Sequence, residues 1–186
     1  MKVKNGLFLL IPFIFLSCSD TVLPKPKAFL RLEYPEAIYQ KVVSDCPYSF
    51  QVSQQSVLDF ENNCWLKIHY PSMNATLHVT YREVNNDLED VLREVEKLTF
   101  EHTVKADGIG ISQPFENKVS NVYGKIINVE GNVASNLQFH VTDSVKNVLY
   151  GSLYFNVKPN YDSILPSVMH IEKDIKNLME SVEWKN

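Results

Sequence analysis

The sequence predicts an α+β domain, an antiparallel sheet with two amphipathic helices packed on it. Three observations carry that expectation. Short runs rich in aromatic and β-branched residues are separated by Pro, Asn and Ser, as strands are by turns. Two longer segments repeat apolar residues at helical spacing. A candidate hairpin between those segments sets apolar residues opposite apolar residues throughout one face.

At the amino end, Lys2 and Lys4 precede an apolar run from Leu7 to Leu16 and then the small Ser17, the three parts of an export signal. The run is too short for a membrane-spanning helix, which needs about 20 apolar residues. Residues 1–17 are therefore read as a cleaved signal peptide. The stretch FLSCSD places Cys18 directly after the small residue. It resembles a bacterial lipoprotein signal, in which that thiol takes a diacylglycerol and becomes the first residue of the mature chain; Phe15 stands where Leu is usual. The resemblance implies lipidation of Cys18 by acyl chains of the palmitate class. At about 0.8 kcal/mol per buried methylene, two or three such chains make a stable anchor and one does not. The other reading is a soluble secreted protein with an incidental Cys18.

Residues 18–28 are the anchor and a tether: Ser19 to Lys27 (SDTVLPKPK) is poor in apolar residues, with Pro24 and Pro26 favouring an extended chain. From Phe29 the composition turns globular, and residues 29–186 carry no repeat, low-complexity tract or second linker, so they form a single domain able to bury its own core. Loss of Lys2 and Lys4 makes the formal charge two units more negative than −4. An acidic chain without a basic run argues against nucleic acid as a partner. Once Cys18 is committed to lipid, Cys46 and Cys64 remain. An even pair in an oxidising envelope favours a disulfide, which would contribute about 3 kcal/mol in the chain-entropy description. Two reduced cysteines buried as small apolar residues are the other reading. Alone they supply too few soft ligands for zinc.

The expected strands are Phe29 to Tyr34, Tyr48 to Val52, Trp65 to Tyr70 and Thr76 to Tyr81. Asn86 followed by Glu89 has the capping-box spacing, and Leu88, Val91, Leu92, Val95, Leu98 and His102 continue a helical stripe. A second stripe, from about Ser163, comprises Ile164, Val168, Ile171, Ile175, Leu178 and Val182. Between the helices, a two-residue turn at Gly131 and Asn132 would set Val122, Gly124 and Ile126 opposite Val141, Phe139 and Leu137. A five-residue loop from Asp143 to Asn147 would then set Phe139 opposite Gly151, placing the ring between two strand glycines as a core residue.

In the earlier hairpin, a loop from Ser72 to Ala75 would pair His69 with His78 and place Lys67 beside Thr80. Two cross-strand imidazoles are weak candidates for one edge of a metal site, but no local carboxylate or thiol supplies a third ligand, and a solvated face is the default. No GxSxG, HExxH, phosphate-loop or dinucleotide pattern occurs in the sequence. Asp107, His102 and Lys105 near a helix end, and Glu94 and Glu96, read more simply as a hydrogen-bonded residue and a wet helix face. No enzymatic activity and no cofactor are expected.

The segments SDCPYSF (Ser44 to Phe50), NCWLKIHYP (Asn63 to Pro71), EHTVKADGI (Glu101 to Ile109) and GNVASNLQFHVTDSVKNVLYGSLYFNVKPNYDSILP (Gly131 to Pro166) resemble the gliding-motility lipoprotein GldD family of Bacteroidota, and the likeness runs through to the final VEW. It implies lipidation at Cys18, and it places Cys46 and Cys64 in matching CPYSF and CW motifs. It also implies a non-enzymatic place in the gliding apparatus linked to type IX secretion. A fainter resemblance, of fold alone, is to the PsbP and Mog1 type of α/β/α sandwich, whose members bind partners. Two functions follow as expectations. One is a lipid-tethered assembly or scaffold subunit, with Tyr150, Tyr154 and Trp184 as candidate partner contacts. The other is a protein that binds a small ligand or an envelope polymer, engaging the His69 and His78 face. The expected location is the cell envelope, lipid-anchored at the outer membrane; Asp20 alone does not settle which side the chain faces.

Overall fold

A computed structural model describes residues 32–103, 106, 108–158 and 160–185. Its centre is a seven-stranded antiparallel sheet. The strands are β4 (Val57–Phe60), β5 (Leu66–Tyr70), β6 (Ala75–Glu83), β7 (Gly108–Asn117), β8 (Val122–Glu130), β9 (Ser135–Thr142) and β10 (Asn147–Phe155). In space they run β4-β5-β6-β10-β9-β8-β7. Ahead of them lie three short strands, β1 (Tyr39–Lys41), β2 (Tyr48–Ser49) and β3 (Gln51–Ser53); β1 pairs with β3, and β2 pairs with the terminal β11 (Glu183–Trp184).

Strand alternation sorts the side chains onto two faces with different covers. On one face Leu77, Val79, Leu137, Phe139, Val141, Leu149 and Leu153 join Val168, Ile171, Ile175, Leu178 and Met179 of α2 (Tyr161–Glu180) in the main core, with Tyr48, Phe50 and Val52 closing one side. On the other face Val148 meets Val84 and Val91 in a small cluster under α1 (Leu88–Thr103). Because Val148 and Leu149 are adjacent in one strand, the helices lie on opposite faces. The stripe of α2 follows the expected positions from Ile164 to Leu178, while Val182 is buried beyond the end of the helix. That of α1 is thinner: Val91 and Val95 are buried, whereas Leu98 is 44% exposed. The side chain of His102, and Lys105 and Asp107 altogether, lie outside the described residues.

The α+β class holds, and several boundaries and registers differ from expectation. Phe29 to Arg31 lie outside the described residues, and Leu32 to Tyr34 are not a strand. β1, β4, β7 and β11 have no counterpart among the expected strands. β7 was hidden by the two glycines and the proline of GIGISQPFEN, residues that strands disfavour. Asn86 does not cap α1; its φ is 62°, a left-handed turn that precedes Asp87, and the helix starts at Leu88.

Of the three expected hairpin registers, the one across the Asp143 to Asn147 loop is as expected and the other two are displaced by two residues. Gly124 pairs with Val141 and Ile126 with Phe139, because the β8–β9 loop is longer than a two-residue turn. Asn136 Nδ2 closes it by donating to Val129 O at 2.8 Å and to Gly131 O at 3.0 Å. A slip of two preserves the faces, so the apolar match persisted in the wrong register. Phe139 is 2% exposed and pairs with Gly151, so it covers one glycine and not two. In the β5–β6 hairpin, Pro71–Met73 form a 3₁₀ turn ended by the left-handed Asn74, and pairing resumes at once with Tyr70 opposite Ala75. His69 therefore faces Thr76, and His78 faces Lys67.

Candidate functional site

A constrained surface turn lies at the β4 end of the sheet. Cys46 and Cys64 are joined by a disulfide with their Cα atoms 5.5 Å apart. Asn63 and Cys64 both adopt left-handed φ, 62° and 60°, which non-glycine residues take up only when held there. The disulfide holds Cys64 from one side, and Tyr48 Oη donates to Cys64 O at 2.6 Å from the core. Burial raises the Tyr48 phenol to about 12, so it stays a donor at neutral pH.

This fixed turn leads from an outermost strand into an aromatic surface. β4 pairs with β5 and, among the described residues, with no other strand. Val57 is 56% exposed, and Phe60 and Trp65 are each 42% exposed. Trp65 Nε1 donates to Tyr81 O at 3.2 Å, fixing the indole at the surface. Phe60, Glu61, Asn62, Asn63 and Trp65 line an open concavity of about 480 Å³. Asp59 stands opposite Lys67, which also binds Glu61 and holds that carboxyl below its usual range. Sequence reasoning passed over Val57 and Phe60. The only signal was VLDF, four residues that begin with two apolar ones, too short a pattern to mark a strand.

The three aromatic residues expected at a partner surface occupy different environments. Tyr150 is half-buried against the small cluster beneath α1. Trp184 packs on the main core, and its Nε1 donates to Asn121 O at 3.2 Å. Tyr154 lies on the part of the sheet beside His78, with ring centroids 5.4 Å apart and edge-to-face.

The histidine face is polar and loosely gathered. His69 Nδ1 is 3.1 Å from Thr76 Oγ1. Partial burial and the charge of Lys67 lower the pKa of His78. Among the described residues no group of three or more His, Cys, Asp or Glu side chains could hold a metal. Under α1, His140 is buried near Lys125 and Glu96; burial first, then the Lys125 charge, lowers its pKa to about 4. A cavity of about 30 Å³ beside it, lined in part by Thr99, Gln138 and Ser152, has room for one water.

No helix among the described residues is long and apolar enough to cross a membrane. A search of the curated proteins found no match. The family model for the gliding motility lipoprotein GldD matches residues 19–184, beginning at the residue after Cys18. With a match over nearly the whole chain, and a fold that supplies a rigid surface turn where CPYSF and CW meet, the chain belongs to the gliding motility lipoprotein GldD family, a family of membrane-anchored envelope proteins.

Proposed function

We propose that this chain is a non-enzymatic assembly or scaffold subunit of the gliding-motility apparatus linked to type IX secretion. It would be exported by residues 1–17 and held at the outer membrane through lipidated Cys18. The observation that carries the docking role is the exposed Phe60 and Trp65, which line one concavity beside a turn fixed by a disulfide. Apolar side chains on a preorganised support are what a protein partner can use, and a lipid tether raises the local concentration of such a surface at the membrane. The alternative, binding of a small ligand or envelope polymer, draws less support: His69 and His78 are out of register with each other, and His69 already bonds Thr76.

Complementation of a strain lacking the protein tests the reading. Wild type should restore spreading, Cys18→Ala should accumulate folded but outside the membrane fraction without restoring it, and Trp65→Ala should remain anchored yet spread poorly. Full spreading by both variants would remove the anchored-docking reading.

A further inference from the structure

The β4 edge is suited to one kind of occupant. We propose that it receives an extended strand of another polypeptide by β-strand addition, with a Lys or Arg beside Asp59 and apolar residues beside Leu58 and Phe60. This inference rests on the docking reading above and names the partner's chemistry.

A sheet edge offers a row of backbone donors and acceptors, and proteins protect such edges with proline, bulges, short strands or charge. The two edges of this sheet differ. β7 carries Pro114 and a register shift between Ile109 and Ser112. β4 has neither proline nor bulge; its guards are its four-residue length and Asp59, and its Val57–Phe60 run is regularly paired to β5 along its inner side. Its side chains also read as a pattern. Leu58 continues the core face, where it packs against the main cluster, and Phe60 follows it at the rim. Asp59 points to the opposite, polar face, flanked by Lys67 on the β5 side and open on the other. An incoming strand would therefore meet apolar, acidic and apolar positions in turn, and a cation beside Asp59 would complete an alternating row with Lys67.

The same charge argues against a second copy of this chain as the occupant. Two-fold antiparallel pairing of β4 with itself can centre on Leu58, Asp59 or Phe60. Asp59 is then diagonal to its copy, directly opposite it, or opposite the copy's Glu61. Each register brings like charges together, whereas a cationic strand relieves them. The open concavity of Phe60, Glu61, Asn62, Asn63 and Trp65 lies at the strand's end, and its largely polar lining would receive a long basic side chain there, the aliphatic stem lying against Phe60 and Trp65. Strand addition uses such side-chain recesses for specificity and the backbone for affinity.

The test is amide hydrogen exchange on the full-length lipidated protein in lipid nanodiscs, with and without a capped synthetic peptide of about eight residues that alternates Val and Lys. Exchange at the outward amides of Leu58 to Phe60 should slow by about tenfold, the protection that one net backbone hydrogen bond confers. Asp59→Lys, an exposed change that leaves the core intact, should abolish the slowing for this peptide and confer it for one alternating Val and Glu. Three results would overturn the inference: no change at β4, equal slowing by a peptide N-methylated along its backbone, or protection that grows with protein concentration in the absence of peptide. The last would assign the edge to a second copy. None of the three would disturb the scaffold reading if motility components still co-purified with the anchored protein.

Discussion

His140 and two glycines show how single residues set the tolerances of this sheet. The unfolded chain takes up a proton at a histidine near pH 6.5, whereas buried His140 refuses it down to about pH 4. The stability contributed by its neutral form is therefore complete above pH 6.5 and is lost as pH falls toward 4, by on the order of 3 kcal/mol. Asp174 acts in the opposite sense: burial raises its carboxyl despite the bond from Tyr39 Oη, so its contribution falls as pH rises above 3.8. Urea unfolding of His140→Gln from pH 7 to 4 should show a shallower acid loss than wild type; an unchanged slope would mean that His140 does not carry the acid sensitivity. At Gly124 a Cβ would lie 1.9 Å from His140 O, a clash with backbone, and at Gly151 it would lie 2.5 Å from Phe139 Cε1 and 2.8 Å from His78 O. Gly151→Ala should cost about 1–3 kcal/mol and Gly124→Ala more. Adding Phe139→Leu should recover part of the first loss and none of the second, read as shifts in the unfolding midpoint. The Phe139 and Gly151 contact was legible in the sequence because the Asp143 to Asn147 loop fixed that register: Asp143 Oδ1 accepts the N–H groups of Val145, Lys146 and Asn147. The Gly124 neighbour was not, since the side-chain bonds of Asn136 that lengthen the β8–β9 loop leave no mark in local propensity.

At the scale of elements, the two helices hold the sheet unequally. α2 buries Val168, Ile171, Ile175, Leu178 and Met179 in the main core, whereas α1 rests on a small cluster and on a sheet face bearing Gln138, His140 and Thr142. Less apolar burial means cheaper local opening. Amide exchange in the middle of α1 should therefore run at least about tenfold faster than in α2; equal rates would show that α1 opens only with the whole domain. Both helices were legible from their apolar periodicity, and the thinness of the α1 contact was not, because it depends on which sheet face the helix meets. The turn Asn62–Cys64 is the second local case. Replacing Cys46 and Cys64 together by Ala should lower stability by about 3 kcal/mol, with loss of protection first at Asn63 to Trp65, where the left-handed residues lose their hold. The Cys pairing was an open choice in the sequence, and the edge strand β4 was missed altogether. A four-residue strand with one charged position carries too short a pattern to stand out from a loop.

For the whole molecule, the sheet separates a buried apolar face from a second face that α1 only partly covers, and the rigid aromatic edge lies at the β4 end. Fold class followed from local patterning, because alternation and helical stripes are themselves the cause of the layers. Function did not follow that way; the proposed role rests on family membership, on the anchor proposed at Cys18 and on a surface assembled from residues that are unremarkable in sequence. The most direct measurement is in-cell cross-linking of tagged wild type and Cys18→Ala, followed by quantitative identification of what co-purifies from washed membranes. The account predicts that wild type brings down other motility or secretion components in a fixed ratio and that Cys18→Ala, though folded, loses both the membrane and those partners. Recovery of wild type alone, lipidated and folded, would contradict it.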